Sequence, residues 1–366
     1  MKTIVVSAVN IRKGGTLTIL RDCLSYLSTL PKDGFRVVAL VHRKELVLYP
    51  GIEYQEFPDT IKSWGRRLWC EYVTMHSVSK QLAPVDLWLS LHDTTPRVKA
   101  ERQAVYCQTS FPFLKWKWKD LKYDFKIVLF SLLTKYAYKV NIARNRYLVV
   151  QAQWLREGFS DMFNLSENHF IVFPPRTKAE IPQTSSLAHT GYMFLFPATA
   201  DAHKNFETLC EASRIVESRI GKNDFKVVIT IDGNENKYAR SLKNTYKDVN
   251  SLEMTGFLTK GKLEECYRMA DCLVFPSRIE TWGLPISEFA SYDKPMLLAD
   301  LPYAYEAAAG CRRVSFFNPG NAEELASKMM ALIKGNQEIL ETVSPKSLKE
   351  PLVRSWEELF DTLLSE

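Results

Sequence analysis

The chain has 366 residues, of which 46% are hydrophobic and 25% charged, with a formal net charge of +6 at pH 7. This length accommodates two domains, and the composition is ordinary for a soluble globular protein. The seven cysteines are scattered and never in a CxxC spacing, which argues against a disulfide framework or a zinc site and for reduced thiols in a cytosolic setting.

The N-terminal segment is predicted to be a strand followed by a helix. Residues 1–10 lack the long apolar core and cleavage site of a signal peptide, and 3–9 are a β-branched run typical of a buried strand. Gly14 and Gly15 follow, and Thr16 is the expected N-cap of an apolar-periodic helix. The glycine pair allows backbone to approach either a neighbouring segment or a phosphate, and both interpretations stay open.

Three further apolar runs, 35–41, 85–90 and 103–107, alternate with helical segments and predict a parallel α/β sheet. Ligands of such sheets bind beyond the carboxyl ends of the strands. His92 and Gln108 each follow such an end, which makes them candidate site residues. A purely structural role for the histidine is the alternative.

Residues 111–147 are basic and aromatic. Two acids, Asp120 and Asp124, stand among nine basic residues: Lys115, Lys117, Lys119, Lys122, Lys126, Lys135, Lys139, Arg144 and Arg146. Tryptophans at 116 and 118, and a similar stretch at 62–69, suit an anionic membrane surface. The alternatives are a core helix with a solvated basic face and nucleic-acid binding. No recognised nucleic-acid module accompanies the charge, so no nucleic-acid partner is expected.

The second half begins after a polar stretch, 177–190, that is predicted to be an inter-domain linker. Strand 192–196 leads through the turn 197–205 to a helix, and Lys204 lies at the N-terminus of that helix. A cation is unfavourable there unless an anion binds, although a solvated lysine is the simpler interpretation. Strand 225–231 and a turn containing Gly256 follow.

Residues 276–288 carry the most specific pattern in the chain. A buried strand, 272–275, precedes a turn with Gly283, and a helix is expected to begin at about Leu284. Glu280 and Glu288 are separated by seven residues. The helix N-terminus suits an anion, and the carboxylates suit ligand hydroxyls. A strand–turn–helix corner with two solvated glutamates is the alternative.

The two glutamates, with Pro276-Ser277 before them and Gly283-Leu284-Pro285 between them, resemble the donor-site signature of family-four retaining glycosyltransferases of bacterial surface-polysaccharide type. The resemblance implies a GT-B fold, α/β, with two doubly wound Rossmann-like domains facing a cleft. It places an acceptor-side domain at 1–175 and a nucleotide-sugar-binding domain at 176–348. The C-terminal helix, 349–366, is expected to pack back on the first domain.

The resemblance also assigns roles. Glu280 contacts the donor sugar, Lys204 the diphosphate, and Glu288 the ribose. Gln108 or His92 approaches the sugar from the first domain. The remaining expected substrate-binding residues are Gly14, Gly15, His203, Asn205, Gly256, Phe257, Thr281, Trp282, Gly283 and Leu284.

The sequence departs from the family pattern at two positions. Many members have a histidine where this chain has Gln108, and glutamine supplies hydrogen bonds without a titratable proton. Members usually have an arginine five residues before the lysine, where this chain has Thr199. His203-Lys204-Asn205 is expected to stand in for it, as in relatives that use GDP-mannose.

The implied activity is retaining transfer of a hexose without a metal or cofactor. The expected donor is GDP-mannose-like, with a UDP-sugar possible, and the expected acceptor is a lipid-linked saccharide in surface-polysaccharide (O-antigen) synthesis. The enzyme is then expected to be peripheral on the cytoplasmic face of the plasma membrane. The alternatives are a non-catalytic sugar-nucleotide or membrane adaptor and a nucleotide-sugar epimerase. Donor base, sugar, acceptor, linkage and oligomeric state stay open.

Overall fold

The computed structural model describes residues 1–175, 191–221, 224–345 and 348–365, so the predicted linker lies outside the described residues. The chain divides into two compact units. Unit 1 comprises Met1–Pro112, Leu132–Pro174 and Leu348–Glu366, and unit 2 comprises Phe113–Ser131 and Pro175–Ser347. The sequence analysis assigned Phe113–Ser131 to the first domain. The segment groups with unit 2 because its side chains pair with residues there, as described below.

Unit 1 is built on a seven-stranded parallel sheet with the order β3-β2-β1-β4-β5-β6-β7. Its strands are β1 (Lys2–Ala8), β2 (Phe35–Val41), β3 (Ile52–Glu56), β4 (Leu87–Ser90), β5 (Arg102–Cys107), β6 (Tyr147–Val150) and β7 (Phe170–Val172). The central strands are buried on both faces, which is why they are near-continuous apolar runs in the sequence.

The helices of unit 1 are α1 (Gly14–Leu27), α2 (Trp64–Trp69), α3 (Met75–Gln81), α5 (Gln153–Phe163) and α12 (Trp356–Leu364). A π-helical turn, Cys70–Thr74, joins α2 to α3. Helix α12 packs in the core of unit 1, where Phe360 stacks on Tyr26 of α1. Arg156 is fully buried and donates to the carbonyls of Lys349 and Glu350 at 2.7 and 2.6 Å, which fixes the segment before α12.

Helix α1 begins two residues before the predicted N-cap. Its N-cap position is Lys13, and the Thr16 hydroxyl lies inside the first turn, where it donates to the Lys13 carbonyl at 3.1 Å. The prediction of Thr16 as N-cap is therefore wrong. The physical reason is that the Thr16 oxygen acts as a donor to the backbone and accepts no helical N–H.

Unit 2 contains a second parallel sheet of six strands with the order β10-β9-β8-β11-β12-β13. Its strands are β8 (Tyr192–Phe196), β9 (Phe225–Ile229), β10 (Leu252–Met254), β11 (Cys272–Phe275), β12 (Met296–Ala299) and β13 (Val314–Phe317). Its helices are α6 (Phe206–Ile220), α7 (Lys237–Thr245), α8 (Lys260–Met269), α9 (Leu284–Ala290), α10 (Pro302–Ala307) and α11 (Ala322–Ile333). The α/β class predicted from the sequence is confirmed.

Helix α4 (Trp118–Lys139) is interrupted at Asp124, whose backbone is extended (φ −152°, ψ 85°). Asp124 Oδ1 accepts from the backbone N–H groups of Lys126 and Ile127, so it caps the helical part that follows the break. Within the described ranges, none of the helices combines the length and apolar composition that crossing a bilayer requires.

Candidate functional site

The candidate site of unit 2 lies where strand order reverses direction. β8 and β11 are neighbours at the centre of the sheet, and the chain leaves them on opposite sides, so their following loops diverge and leave a crevice. The loop after β8 is 197–205, and the loop after β11 is 276–283. These are the two segments that the sequence analysis selected.

Lys204 and Glu280 meet across this crevice. Lys204 Nζ donates to Glu280 Oε1 at 2.7 Å, and both side chains are largely shielded from solvent. The lysine thus has its counter-charge in the carboxylate predicted to contact the donor sugar. The pair holds one cation and one carboxylate at the carboxyl edge of the sheet, where an anionic, hydroxyl-rich ligand would meet both.

Of the two neighbours of Lys204, Asn205 is buried and His203 is partly buried. Asn205 adopts a left-handed backbone conformation (φ 61°), and its side-chain amide donates to the carbonyls of Pro276 and Pro319 at 3.0 and 2.7 Å. This residue therefore ties the loop after β8 to the loop after β11. Burial, and then the charge of Lys204, lower the pKa of His203 to about 4. His203 is consequently neutral at pH 7 and adds no positive charge to the site.

Arg278 was not selected from the sequence, although it lies in the most specific motif. It forms a two-pronged ion pair with Asp120, at 2.7 and 2.9 Å, and both side chains are almost completely buried. Arg278 also donates to the Ala202 carbonyl at 3.1 Å, and its backbone N–H donates to the His203 carbonyl at 2.8 Å. The pair therefore supports the turn that carries Lys204. The sequence feature that could have indicated this pair was Asp120, an acid in a basic segment.

A second ion pair on the same segment joins Lys119 to Glu207 of α6. Tyr123 adds a ring contact with Tyr238 of α7, with centroids 5.3 Å apart. These contacts explain why Phe113–Ser131 groups with unit 2. They also mean that Lys119 already has an acidic partner.

Helix α9 begins at Leu284, as predicted, and carries Glu288. Glu288 Oε2 accepts from the Tyr267 hydroxyl at 2.8 Å, which fixes the carboxylate on the surface of unit 2. Gly283 has a left-handed backbone (φ 93°), and a Cβ there would lie 3.2 Å from Ile286 Cδ1, so the turn requires glycine. Trp282 Nε1 donates to Ser287 Oγ at 2.8 Å, which folds the indole against the helix.

The remaining residues predicted in unit 2 lie on the same loops or on the neighbouring one. Thr281 is half-buried, and Leu284 is exposed. Gly256 follows β10 with a left-handed backbone (φ 73°), and Phe257 next to it is 90% exposed. The structure thus gives an outward-facing aromatic ring at the carboxyl end of β10.

In unit 1, His92 belongs to a buried network. Its Nε2 lies 2.9 Å from Ser7 Oγ and its Nδ1 lies 3.0 Å from Thr94 Oγ1. Thr94 donates to Glu71, which accepts from Arg67 Nε at 2.8 Å. Burial is the main cause that lowers the pKa of His92, so the ring is neutral at pH 7. Both ring nitrogens are occupied, and the side chain is held inside the protein.

Gln108 has a different environment. Its side-chain Nε2 donates to the Leu91 carbonyl at 2.7 Å, and within the described ranges its buried Oε1 has no hydrogen-bond partner. Its backbone N–H donates to Asp93 Oδ1 at 2.5 Å, and the next N–H, of Thr109, donates to the same oxygen at 3.1 Å. Asp93 thus anchors the loop after β5, a role that the sequence analysis did not assign. Burial is the main cause that raises the pKa of Asp93 to about 6.

Gly14 and Gly15 lie in open space. A Cβ on either residue would have no protein atom within 4 Å among those described. Close packing against a neighbour therefore does not explain the pair. Gly14 also has φ 70°, a conformation that glycine adopts without strain. Both glycines are exposed, and ligand contact by the pair stays a prediction.

Residues 177–347 match the family model of glycosyl transferases group 1. The matched region is a little less than half of the chain. It contains the loops that carry Lys204 and Glu280 and the helix α9 that carries Glu288. Among characterised proteins, the chain is similar to the O-antigen chain mannosyltransferase RfbU of Salmonella typhimurium, with 20% identity over 176 residues. That alignment covers 47% of this chain and 47% of RfbU, so the match spans about half the length of either protein.

Solved structures show the fold of the whole chain. The apo form of the lipopolysaccharide outer core galactosyltransferase WaaB aligns over 100% of this chain and 99% of its own, with a TM-score of 0.64 and 11% identity. HepE of Anabaena, solved in complex with UDP-glucose, aligns over 93% of this chain and 92% of its own, with a TM-score of 0.63 and 13% identity. A glycosyltransferase from Rickettsia africae aligns over 92% of this chain and 91% of its own, with a TM-score of 0.60 and 15% identity. The predicted GT-B fold is confirmed.

Proposed function

We propose that the protein is a retaining hexosyltransferase that binds a nucleotide diphosphate sugar in unit 2. The observation that carries this proposal is the Lys204–Glu280 pair at the reversal of strand order in a group 1 domain. The mannosyltransferase relative favours a GDP-mannose-like donor, and the UDP-glucose bound to HepE makes a UDP-sugar the second choice. A saccharide of a surface polysaccharide is the acceptor class suggested by RfbU and WaaB.

In this mechanism, Lys204 leaves Glu280 and meets the donor diphosphate, while Glu280 accepts hydrogen bonds from the sugar hydroxyls. The bond between the anomeric carbon and the diphosphate oxygen breaks, and a bond forms between that carbon and an acceptor oxygen on the same face. The acceptor proton passes to the departing diphosphate. Lys204, once it meets the diphosphate, stabilises the developing negative charge in the way that a metal ion does in other glycosyltransferases.

The direct test is incubation with GDP-, UDP- and dTDP-sugars and a lipid-linked saccharide, with detection of nucleoside diphosphate and extended glycan. Release of nucleoside diphosphate with glycan extension supports the proposal. Binding without turnover identifies an adaptor, and conversion of one free nucleotide sugar or sugar into its epimer identifies an epimerase. The anomeric configuration of the product, read by NMR, decides between retention and inversion.

Glu288 is expected to bind the ribose of the donor. Replacing it by glutamine should weaken donor binding by about 1–3 kcal/mol, because a charge-assisted hydrogen bond is lost. Tyr267→Phe is the matched control, since it removes the 2.8 Å contact with Glu288 but keeps the carboxylate. Calorimetry that shows equal donor affinity for the wild type and Glu288→Gln would remove this residue from the site.

Gln108 is expected to contact the donor sugar, which requires its side chain to turn so that the buried Oε1, unpaired among the described residues, meets a ligand hydroxyl. Gln108→Ala should lower kcat strongly with little change in thermal stability, and Gln108→His should be tolerated. His92→Ala should instead lower thermal stability, since Ser7 and Thr94 lose their buried partner. The assignment is reversed if kcat follows His92→Ala while Gln108→Ala remains near wild type.

We further propose that α4 attaches the protein to an anionic membrane surface. Large apolar side chains are exposed on α4 and directly after it: Leu121, Phe125, Leu129, Leu132, Leu133, Tyr136 and Val140. Four exposed lysines accompany them: Lys122, Lys126, Lys135 and Lys139. Of the two acids of the segment, Asp120 is paired with Arg278, so Asp124 alone opposes the four lysines and the charge of α4 stays positive.

The attachment predicts salt-sensitive sedimentation with anionic vesicles. Each lysine near such a surface contributes about 1 kcal/mol. Converting Lys122, Lys126, Lys135 and Lys139 to glutamine should therefore abolish binding at moderate salt. The matched control changes four exposed lysines outside α4 (Lys32, Lys247, Lys262 and Lys334), so that net charge falls equally. Equal losses for both variants, or no wild-type binding at low salt, would contradict attachment through α4.

A further inference from the structure

Two adjacent turns of unit 1 are joined by the carboxylate of Asp93. β4 and β5 are neighbours in the sheet, and Asp93 lies in the turn after β4, while Gln108 directly follows β5. Asp93 Oδ1 accepts from the backbone N–H groups of Gln108 and Thr109 at 2.5 and 3.1 Å. The Gln108 side chain donates to the Leu91 carbonyl at 2.7 Å. The turn after β4 therefore holds both the backbone and the side chain of Gln108.

The turn that carries Asp93 is itself fixed in place. Asp93 has a left-handed backbone conformation (φ 67°), which aspartate adopts more readily than most residues. Arg67 donates to the carbonyl of His92 at 3.1 Å, and the Asn145 side chain donates to Thr95 Oγ1 at 2.7 Å. Because the turn is held on both sides of Asp93, its carboxylate is presented to the loop after β5 in one position.

The groups around the Asp93 carboxylate come from four elements. Among the described residues, those whose charge interacts with it are Arg67 of α2, Glu71 of the π-helical turn, Cys107 of β5 and Tyr138 of α4. Burial raises the pKa of Cys107 and of Tyr138, so both are protonated at pH 7, and the adjacent His92 is neutral. Burial is also the main cause that raises the pKa of Asp93 to about 6, while the two amides and Arg67 act in the opposite direction.

We propose that Asp93 is a positioning residue for turnover: its ionised carboxylate holds the Gln108 backbone in the orientation from which the side chain turns to the donor sugar. This inference rests on the proposed contact between Gln108 and the donor. A hydrogen bond to a charged acceptor is roughly twice as strong as one to a neutral acceptor. Protonation of Asp93 therefore loosens both amide bonds, and turnover falls as the pH decreases through about 6.

Stability and turnover are expected to respond to acid in opposite directions. An aspartate in an unfolded chain has a pKa of about 3.9, so the raised pKa of Asp93 means that the folded chain binds this proton more tightly. The contribution of Asp93 to stability therefore increases as the pH falls from above about 6 to below about 4. A loss of turnover caused by unfolding would instead accompany a loss of this stability.

The test compares the pH profile of Asp93→Asn with that of the wild type. Asparagine keeps an oxygen that accepts from both amides, but it does not titrate. The measured quantity is kcat for release of nucleoside diphosphate from GDP-mannose or UDP-glucose, with a lipid-linked saccharide, from about pH 5 to 8. The wild-type kcat should fall in acid with a midpoint near pH 6. Asp93→Asn should lack this fall and have a kcat about five- to tenfold lower at neutral pH, because a neutral acceptor replaces a charged one.

Asp86→Asn is the matched control. Asp86 immediately precedes β4, at the opposite end of the strand from Asp93, and its Oδ2 also accepts a backbone N–H, that of Thr3 at 2.7 Å. This variant should keep the wild-type pH profile. A measurement on the wild type alone covers the case in which Asp93→Asn does not fold: with ¹⁵N-threonine labelling, the amide signal of Thr109 should shift with a midpoint near pH 6.

An acid fall of kcat with the same midpoint in Asp93→Asn and the wild type overturns the proposal. So does a Thr109 amide signal that does not change around pH 6, or a thermal stability difference between wild type and Asp93→Asn that decreases in acid. Calorimetry with GDP and UDP separates these results from the proposed function. Unchanged nucleotide affinity in Asp93→Asn with lowered kcat supports the positioning role. A wild type that binds neither nucleotide contradicts the donor site itself, and the role of Asp93 falls with it.

Discussion

Asp120→Ala is expected to lower the free energy of unfolding by about 3–5 kcal/mol, because it leaves the buried guanidinium of Arg278 without its counter-charge. Both partners are nearly inaccessible to solvent, with 6% and 4% of the side-chain surface exposed, so water cannot replace the lost carboxylate. Urea denaturation should show the unfolding transition of unit 2 at a lower urea concentration. Donor affinity should fall as well, since Arg278 supports the turn before Lys204.

Lys119→Ala is the matched control for this prediction. It removes the other ion pair of the same segment, with Glu207, whose lysine is 40% exposed. Pairs of this kind contribute at most about 1 kcal/mol. The double variant Asp120→Ala/Arg278→Ala should recover part of the stability, because no unpaired buried charge remains. If Asp120→Ala is no less stable than Lys119→Ala, the segment does not depend on this pair.

Lys204→Ala is expected to lower kcat by roughly 10²- to 10³-fold, the usual effect of removing one preorganised group that stabilises developing charge. The neighbouring His203 is neutral at pH 7 and Thr199 is uncharged, so no adjacent residue of this turn replaces the lost cation. Lys204→Arg keeps the charge and should be affected far less. Steady-state release of nucleoside diphosphate measures both variants.

Glu280→Gln separates the two members of the pair. It removes the counter-charge that holds Lys204 at 2.7 Å but leaves the lysine positive, so donor binding should persist while sugar orientation is lost. EDTA should leave wild-type activity unchanged if Lys204 meets the diphosphate charge. Wild-type turnover in Lys204→Ala, or loss of activity with EDTA and rescue by manganese, would contradict this mechanism.

The strands show how much local sequence determines. The run 35–41 was predicted as a strand and is β2, and the run 103–107 is β5 with one added residue. These strands are buried on both faces, so nearly every position must be apolar and the signal is continuous. The start of α9 at Leu284 was likewise predictable, because Gly283 and Pro285 restrict the backbone to a turn and a first helical turn.

Side-chain partners far apart in the chain were not predictable. Asp120 and Arg278 are separated by 158 positions, and neither has a local pattern that names the other. His92 illustrates the same limit. Its place after a strand is equally compatible with a ligand contact and with the buried network that the structure shows, because the partners Ser7 and Glu71 come from other elements.

By itself, the amino-acid sequence determined the two α/β sheets and the glutamate motif, because strand burial, glycine turns and helix starts depend on neighbouring residues. Only the tertiary structure decided three further points: that Phe113–Ser131 belongs with unit 2, that Lys204 is paired with Glu280, and that both ring nitrogens of His92 are occupied. Each of these depends on which charged or polar groups the fold brings within hydrogen-bonding distance. Burying a charge without a partner is costly, so a folded chain pairs its buried charges even when they are far apart in the sequence.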